Sequence, residues 1–176
     1  MPLTAPAGME TRPTSDLVKG AMFSALGDVG CEGRVLDLFA GSGGLGIEAL
    51  SRGAEFCDFV EQAATACRAI RANLAKTRLE DRAAVHQQVV ERFLAHAYGV
   101  YDLILIDPPY AIPDLHALTA LIGGSAALGD ATTLVLEHSS RRPPPPRAGA
   151  LHCGKIRVHG DTAFSVYRAD RGTKLT

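Results

Sequence analysis

The chain has 176 residues, 47% of them apolar, and a formal net charge of −1. That length is enough for one domain with a sizeable core, and no apolar run is long enough to span a membrane. The near-neutral balance excludes a protein held to nucleic acid by bulk charge, leaving only local basic patches: Arg12 with Lys19, Arg141 and Arg142 with Arg147, and Lys155 with Arg157.

In chain order, Met1 to Gly8 carries neither a basic region nor an apolar core, so a signal peptide is not expected. Residues 1–10 and 170–176 are expected to be flexible ends. Thr14 reads as the N-cap of a helix with an apolar stripe of Leu17, Val18, Ala21, Met22, Ala25 and Leu26. Val35 to Phe39 reads as a short buried strand, and after a glycine turn Leu45 to Ser51 begins a helix. Phe56 to Val60 is a second strand, Ala64 to Lys76 a helix, Ala83 to Val89 a third strand and Glu91 to Ala97 a short helix. Leu103 to Ile106 is a fourth strand, Asp114 to Ile122 a helix and Thr132 to Glu137 a fifth strand. The four consecutive prolines between Arg142 and Arg147 predict an extended surface loop. Lys155 to His159 and Ala163 to Arg168, around Gly160-Asp161, predict a hairpin. Strands alternating with helices imply a single α/β domain over residues 1–176, doubly wound, with an antiparallel edge supplied by the hairpin. The cysteines at 31, 57, 67 and 153 are scattered and do not cluster with the histidines, so free thiols and no metal site are expected.

Two motifs carry chemistry. In Val35-Leu36-Asp37-Leu38-Phe39-Ala40-Gly41-Ser42-Gly43-Gly44-Leu45-Gly46, the glycines at 41, 43 and 46 match G-x-G-x-x-G between a strand and a helix. Glycines at 41 and 43 allow positive φ and let a ligand approach the backbone closely. Glu61 follows Gly41 by twenty residues, at a strand end where an acid binds ribose hydroxyls. This half fits either NAD or S-adenosylmethionine. Asp37, inside an apolar strand, is either satisfied by loop N–H groups or placed near a ligand.

The second motif, Asp107-Pro108-Pro109-Tyr110, follows the apolar run Leu103 to Ile106, which delivers it to the carboxyl edge of a sheet. The prolines stiffen the loop and keep it extended. A carboxylate, exposed carbonyls and a flat ring make a clamp for a planar group bearing an amino function, such as a nucleobase. The bland alternative is a turn that ends a strand.

Thr11-Arg12-Pro13-Thr14-Ser15-Asp16, Leu36 to Gly43, Leu50-Ser51-Arg52-Gly53-Ala54 and the Asp-Pro-Pro-Tyr tetrad together resemble the RsmD-type 16S ribosomal RNA guanine-N2 methyltransferases, in order and over nearly the whole chain. The resemblance implies a Rossmann-like class I methyltransferase domain with a mostly parallel seven-stranded sheet and helices on both faces. It implies S-adenosylmethionine as cofactor, and a monomeric cytoplasmic enzyme acting on 16S rRNA within an assembling 30S particle. Catalysis then falls to Asp107, Pro108, Pro109 and Tyr110. The cofactor falls to Asp37, Phe39, Ala40, Gly41, Ser42, Gly43, Glu61 and Asp107. Arg12 and Thr14 are candidate substrate or cofactor contacts, or simply the entry to the first helix.

The family usually begins with a basic, glycine-containing strand, and in this the sequence departs from its pattern, starting after that strand. Where the family often has an acid or Asn for the adenine amino group, the sequence reads Gln87-Gln88, and Gln88 is the candidate. A DNA amino-methyltransferase, a non-catalytic nucleotide-binding assembly factor and NAD-dependent hydride transfer remain as alternative readings of the residues.

Overall fold

The computed structural model describes residues 13–27, 31–109 and 112–169, with side chains from residue 18 onward. Helix α1 runs Pro13–Leu26. It begins one residue before the expected cap at Thr14, because the fixed φ of proline suits the first helical position. Strand β1 (Arg34–Leu38) leads through the glycine turn into α2 (Gly44–Ser51). Strand β2 (Phe56–Glu61) is followed by α3 (Ala64–Thr77), a single 3-10 turn at Glu80–Arg82 and β3 (Ala83–Gln87). Strand β3 stops two residues short of the expected Val89. The Gln88 N–H bonds back to the Glu61 carbonyl, and α4 (Val90–Ala95) starts directly after. Strand β4 (Leu103–Ile106) precedes α5 (Leu115–Gly123), whose N-cap Asp114 accepts the N–H groups of His116 and Ala117.

Strand β5 (Thr133–Ser139) completes the parallel part of the sheet. The expected hairpin is present as β7 (Leu151–His159) and β8 (Thr162–Ala169). Its first strand starts four residues earlier than Lys155, and a two-residue strand β6 (Arg147–Ala148) pairs with that extension. The sheet therefore has eight strands instead of seven, in the order β3-β2-β1-β4-β5-β8-β7-β6. The proline run is not wholly surface: Pro145 is buried, and its carbonyl accepts the Tyr167 hydroxyl at 2.8 Å.

Strands β1 to β5 are parallel; β1, β2, β4 and β5 are largely buried on both faces, and the edge strand β3 is only partly buried. Alternate residues feed two cores. Val35, Leu103, Leu105 and Val135 pack with α1, α2 and α3 through Met22, Phe23, Leu50 and Ile70. Leu36, Ile104, Ile106 and Leu136 pack with α4 and α5 through Phe93, Leu94, Leu118 and Ile122. Strand order reverses between β1 and β4, so the chain leaves these neighbours towards opposite sides and opens a crevice at their carboxyl ends.

Gly46 sets how closely α2 approaches the sheet. A Cβ at this position would overlap the Phe59 ring and lie 2.7 Å from Cys57 Sγ, both fully buried. Gly46→Ala is expected to destabilise the protein by about 1–3 kcal/mol, because neither neighbour has room to retreat. Urea unfolding checks this, and an unchanged midpoint would show that α2 shifts freely.

Candidate active site

Three strand tips and one helix start build the site. Leu38 of β1 is the cross-strand partner of Ile106 of β4, so the residues following both emerge at the same level. The glycine turn and the Asp107-Pro108-Pro109 loop therefore lie side by side.

The turn itself is tightly held. Phe39 takes a left-handed φ of 60°, uncommon for a bulky residue and sustained only by its surroundings. The Ala40 N–H donates to the Val60 carbonyl at 3.1 Å, and the Gly43 N–H donates to the Ala40 carbonyl at 2.7 Å. Gly41 and Gly43 have φ of 54° and 81°, and a Cβ at Gly41 would meet nothing within 4 Å. That open side is where a ligand can lie against the backbone. From α3, the buried Asn73 side chain donates to the Ser42 carbonyl at 3.0 Å.

Carboxylates tie the turn to the sheet. Glu61, at the tip of β2, accepts the Gly41 N–H through Oε2 at 3.0 Å and the Ala63 N–H through Oε1 at 2.8 Å. Asp37 is buried and accepts the Gly46 N–H at 2.8 Å in the first turn of α2. The first of the two alternatives for Asp37 thus holds: a backbone N–H at the start of α2 satisfies it. Burial raises its pKa to about 7. The Gly46 N–H opposes the rise, and the negative charges of Asp107 and Glu61 add to it.

Beside the turn, Asp107, Pro108, Pro109, Ile112, Leu115, Glu137, His138, Ser139 and Arg142 enclose a cavity of about 240 Å³. Asp107 is exposed as a residue, and desolvation of its carboxyl group by the surrounding protein raises its pKa to about 6. Gln88 sits at the tip of β3, half-buried, and its backbone N–H bonds to the Glu61 carbonyl. Arg12 and Tyr110, and the side chain of Thr14, lie outside the described residues.

The chain that carries this site is similar to known proteins over most of its length. A family model described as "Conserved hypothetical protein 95" matches residues 1–168. The chain is 40% identical over 170 residues to "Putative rRNA methyltransferase YlbH" of Bacillus subtilis, covering 94% of this chain and 92% of that protein. It is 29% identical over 170 residues to "Ribosomal RNA small subunit methyltransferase D" of Escherichia coli K12, covering 96% of this chain and 84% of that protein. Among solved structures, a conserved hypothetical protein of Streptococcus pyogenes superposes with a TM-score of 0.81 at 34% identity, over 87% of this chain and 96% of that one.

The chain belongs to the RsmD-type methyltransferase family. Its fold is that of class I methyltransferases, and its cofactor is S-adenosylmethionine. The electrostatics of this RsmD-type site fit that cofactor and not a dinucleotide. The negative charges of Asp107 and Glu61 lie close enough to Asp37 to raise its proton affinity. A pocket of that sign attracts the sulfonium and ammonium of S-adenosylmethionine and repels the diphosphate of NAD. Gly41 is open on one side, and Glu61 keeps lone pairs beyond the two backbone N–H groups it accepts.

Two participants were not anticipated from the sequence. Glu137 carries the same signal as Asp107, an acid ending an apolar strand. Asn73 is a polar residue on the buried stripe of α3.

The raised Asp37 pKa has a consequence for stability. The folded chain keeps a proton that the unfolded chain has lost, so this contribution is fully present below the ordinary carboxylate value of 3.8 and disappears as pH rises through about 7. The cofactor-free protein is expected to melt at lower temperature at about pH 8 than at about pH 5. Asp37→Asn, which keeps an oxygen for the Gly46 N–H, should flatten that fall. Thermal unfolding across this range checks it, and an unchanged slope would remove Asp37 as its source.

Proposed function

We propose that this chain transfers a methyl group to the exocyclic N2 of a guanine in small-subunit ribosomal RNA. The observation that carries this reading is the placement of the Asp107-Pro108-Pro109 acceptors beside the glycine turn, at the switch point of the sheet. Names of relatives support rRNA as the substrate.

When bound, S-adenosylmethionine supplies an electrophilic methyl carbon on a sulfonium. The residues of the chain do the rest. The glycine turn, Asp37 and Glu61 hold the donor; positioning of the two reactants then supplies much of the rate. The guanine amine is a weak nucleophile because its lone pair is delocalised into the ring. The Asp107 carboxylate and the Pro108 carbonyl accept its two hydrogens and draw the nitrogen towards a tetrahedral form. As the new N–C bond forms, positive charge and a surplus proton arise on N2. Asp107 stabilises that charge and takes that proton, a task suited to a carboxylate whose proton affinity its surroundings have raised. Tyr110 is assigned to stack on the base once it has left its helix.

The strand β7 exposes Lys155, Ile156, Arg157 and Val158, with Arg147 exposed on its neighbour β6. With so little net charge, recognition rests on such a local patch and on the shape of a ribosomal particle. The reading places a monomer in the cytoplasm, acting on an assembling small subunit.

Asp107→Ala is expected to lower kcat/KM on small subunits by at least about 100-fold while S-adenosylmethionine still binds. Radiolabelled methyl incorporation and calorimetry measure the two quantities. Full activity in this variant would remove the mechanism. Mass spectrometry of ribosomal RNA from a strain lacking the protein should show one missing methylguanine; a loss confined to DNA would point to the other amino-methyltransferase class.

A further inference from the structure

Asp107 is not the only acid facing the base cavity. Ile106 and Leu136 are cross-strand partners on parallel neighbours, so the next residues, Asp107 and Glu137, reach the carboxyl edge side by side. Both line the same cavity of about 240 Å³. The other side of Glu137 is fixed as well. It pairs with Phe164 of β8, and the following His138 is buried and hydrogen-bonded to Ser139 O and Ser165 Oγ. The carboxylate therefore stands on rigid sheet, not on a mobile loop. Burial raises its proton affinity, and the charge of Asp107 raises it further.

A cavity with adjacent acceptors selects a ligand edge with adjacent donors. The edge of guanine that carries N2 presents N1–H next to the N2 amino group. The edges of adenine and cytosine set a bare ring-nitrogen acceptor beside their amino group. Arg142 lines the same cavity; it donates to the carbonyls of Ile112 and Pro113 at 3.1 and 3.0 Å and keeps further N–H groups for an acceptor. The cavity thus offers two acceptors, Asp107 and Glu137, for the N2 amine and N1–H of guanine, and one donor, Arg142, for O6.

We propose that Glu137 is the base-reading residue of this enzyme, accepting N1–H of the target guanine beside the amine that Asp107 and Pro108 hold. This rests on the guanine reading above. An ionised Glu137 meets the lone pair of a base with a bare nitrogen at position 1 and loses its partner; burial and the Asp107 charge raise its pKa to about 8, so this discrimination strengthens as pH rises through that value. Drawing on N1–H also pushes electron density through the ring towards N2, which aids the attack.

The test uses the full chain and small subunits reconstituted with 16S RNA carrying either guanine or 2,6-diaminopurine at the methylated position. Diaminopurine keeps the N2 amine but has no proton on N1. At about pH 8.5, where Glu137 is largely ionised, wild-type protein is expected to favour guanine by roughly 10- to 100-fold in kcat/KM. In Glu137→Ala and in Glu137→Gln that ratio should fall several-fold, to the share that Arg142 takes from O6, whatever happens to the absolute rates. The isosteric Gln variant serves if the Ala variant does not fold, with S-adenosylmethionine binding as the check on folding. A wild-type enzyme that methylates guanine, paired with variants whose ratio is unchanged, would overturn the role of Glu137 alone. A wild-type enzyme inactive on guanine would overturn the base assignment itself, and this inference with it.

Discussion

The parallel pairing of β1 with β4 is the constraint on which the site depends. Each strand alone would present an ordinary loop. Paired in register, they bring Leu38 and Ile106 to one level and set the glycine turn against the Asp-Pro-Pro loop. The two chains then depart to opposite sheet faces, into α2 on one and α5 on the other. Among the described residues no crossover passes over the space between. A binding crevice follows from topology before any side chain is considered, and the side chains decide only what it accepts.

What it accepts is governed by acids left in unfavourable surroundings. The contrast with Asp58 is instructive. That side chain is also buried, and burial alone would push its pKa up. It accepts bonds from His86 Nε2 at 2.7 Å, the Tyr101 hydroxyl at 2.9 Å and Arg34 Nη2 at 3.1 Å, and together these hold its pKa below the ordinary value. This is how the fold treats a carboxylate whose task is structural: it ties β1, β2 and β3 together. Asp37, Asp107 and Glu137 are shifted the other way, each by burial first and two of them by a like charge as well. Carboxylates kept uneasy in the folded state mark a place meant to receive a cation or a proton.

The sequence made the fold and half of the site legible for identifiable reasons. The buried parallel strands announced themselves as apolar runs, and the Asp114 cap and the Gly160-Asp161 turn followed local chemistry that acts within a few residues. The glycine turn and the Asp-Pro-Pro loop could each be read alone. Their adjacency could not, since it depends on strand order. The same limit hid Glu137: an acid at a strand end gains meaning only when β5 lies next to β4. It also hid the short pairing of β6 with β7, because two residues of strand leave no periodic pattern, and the burial of Pro145, which needs Tyr167 from the far end of the chain.

A pocket of one charge also bears on turnover. The methyl donor enters as a cation at sulfur and leaves as a neutral thioether, so carboxylates around it favour the incoming molecule over the spent one. The hydrogen bonds that Glu61 and Asp37 accept from Gly41 and Gly46 are made within the protein and do not depend on the charge of the ligand. The turn can therefore keep its shape while affinity falls. Under the proposed reading, loss of that charge weakens binding without demanding movement in a loop held by Asn73 on one side and by β2 on the other. The same reasoning explains why the acids were not replaced by neutral acceptors of equal geometry: an amide would hold the turn as well but would not distinguish the donor from its product.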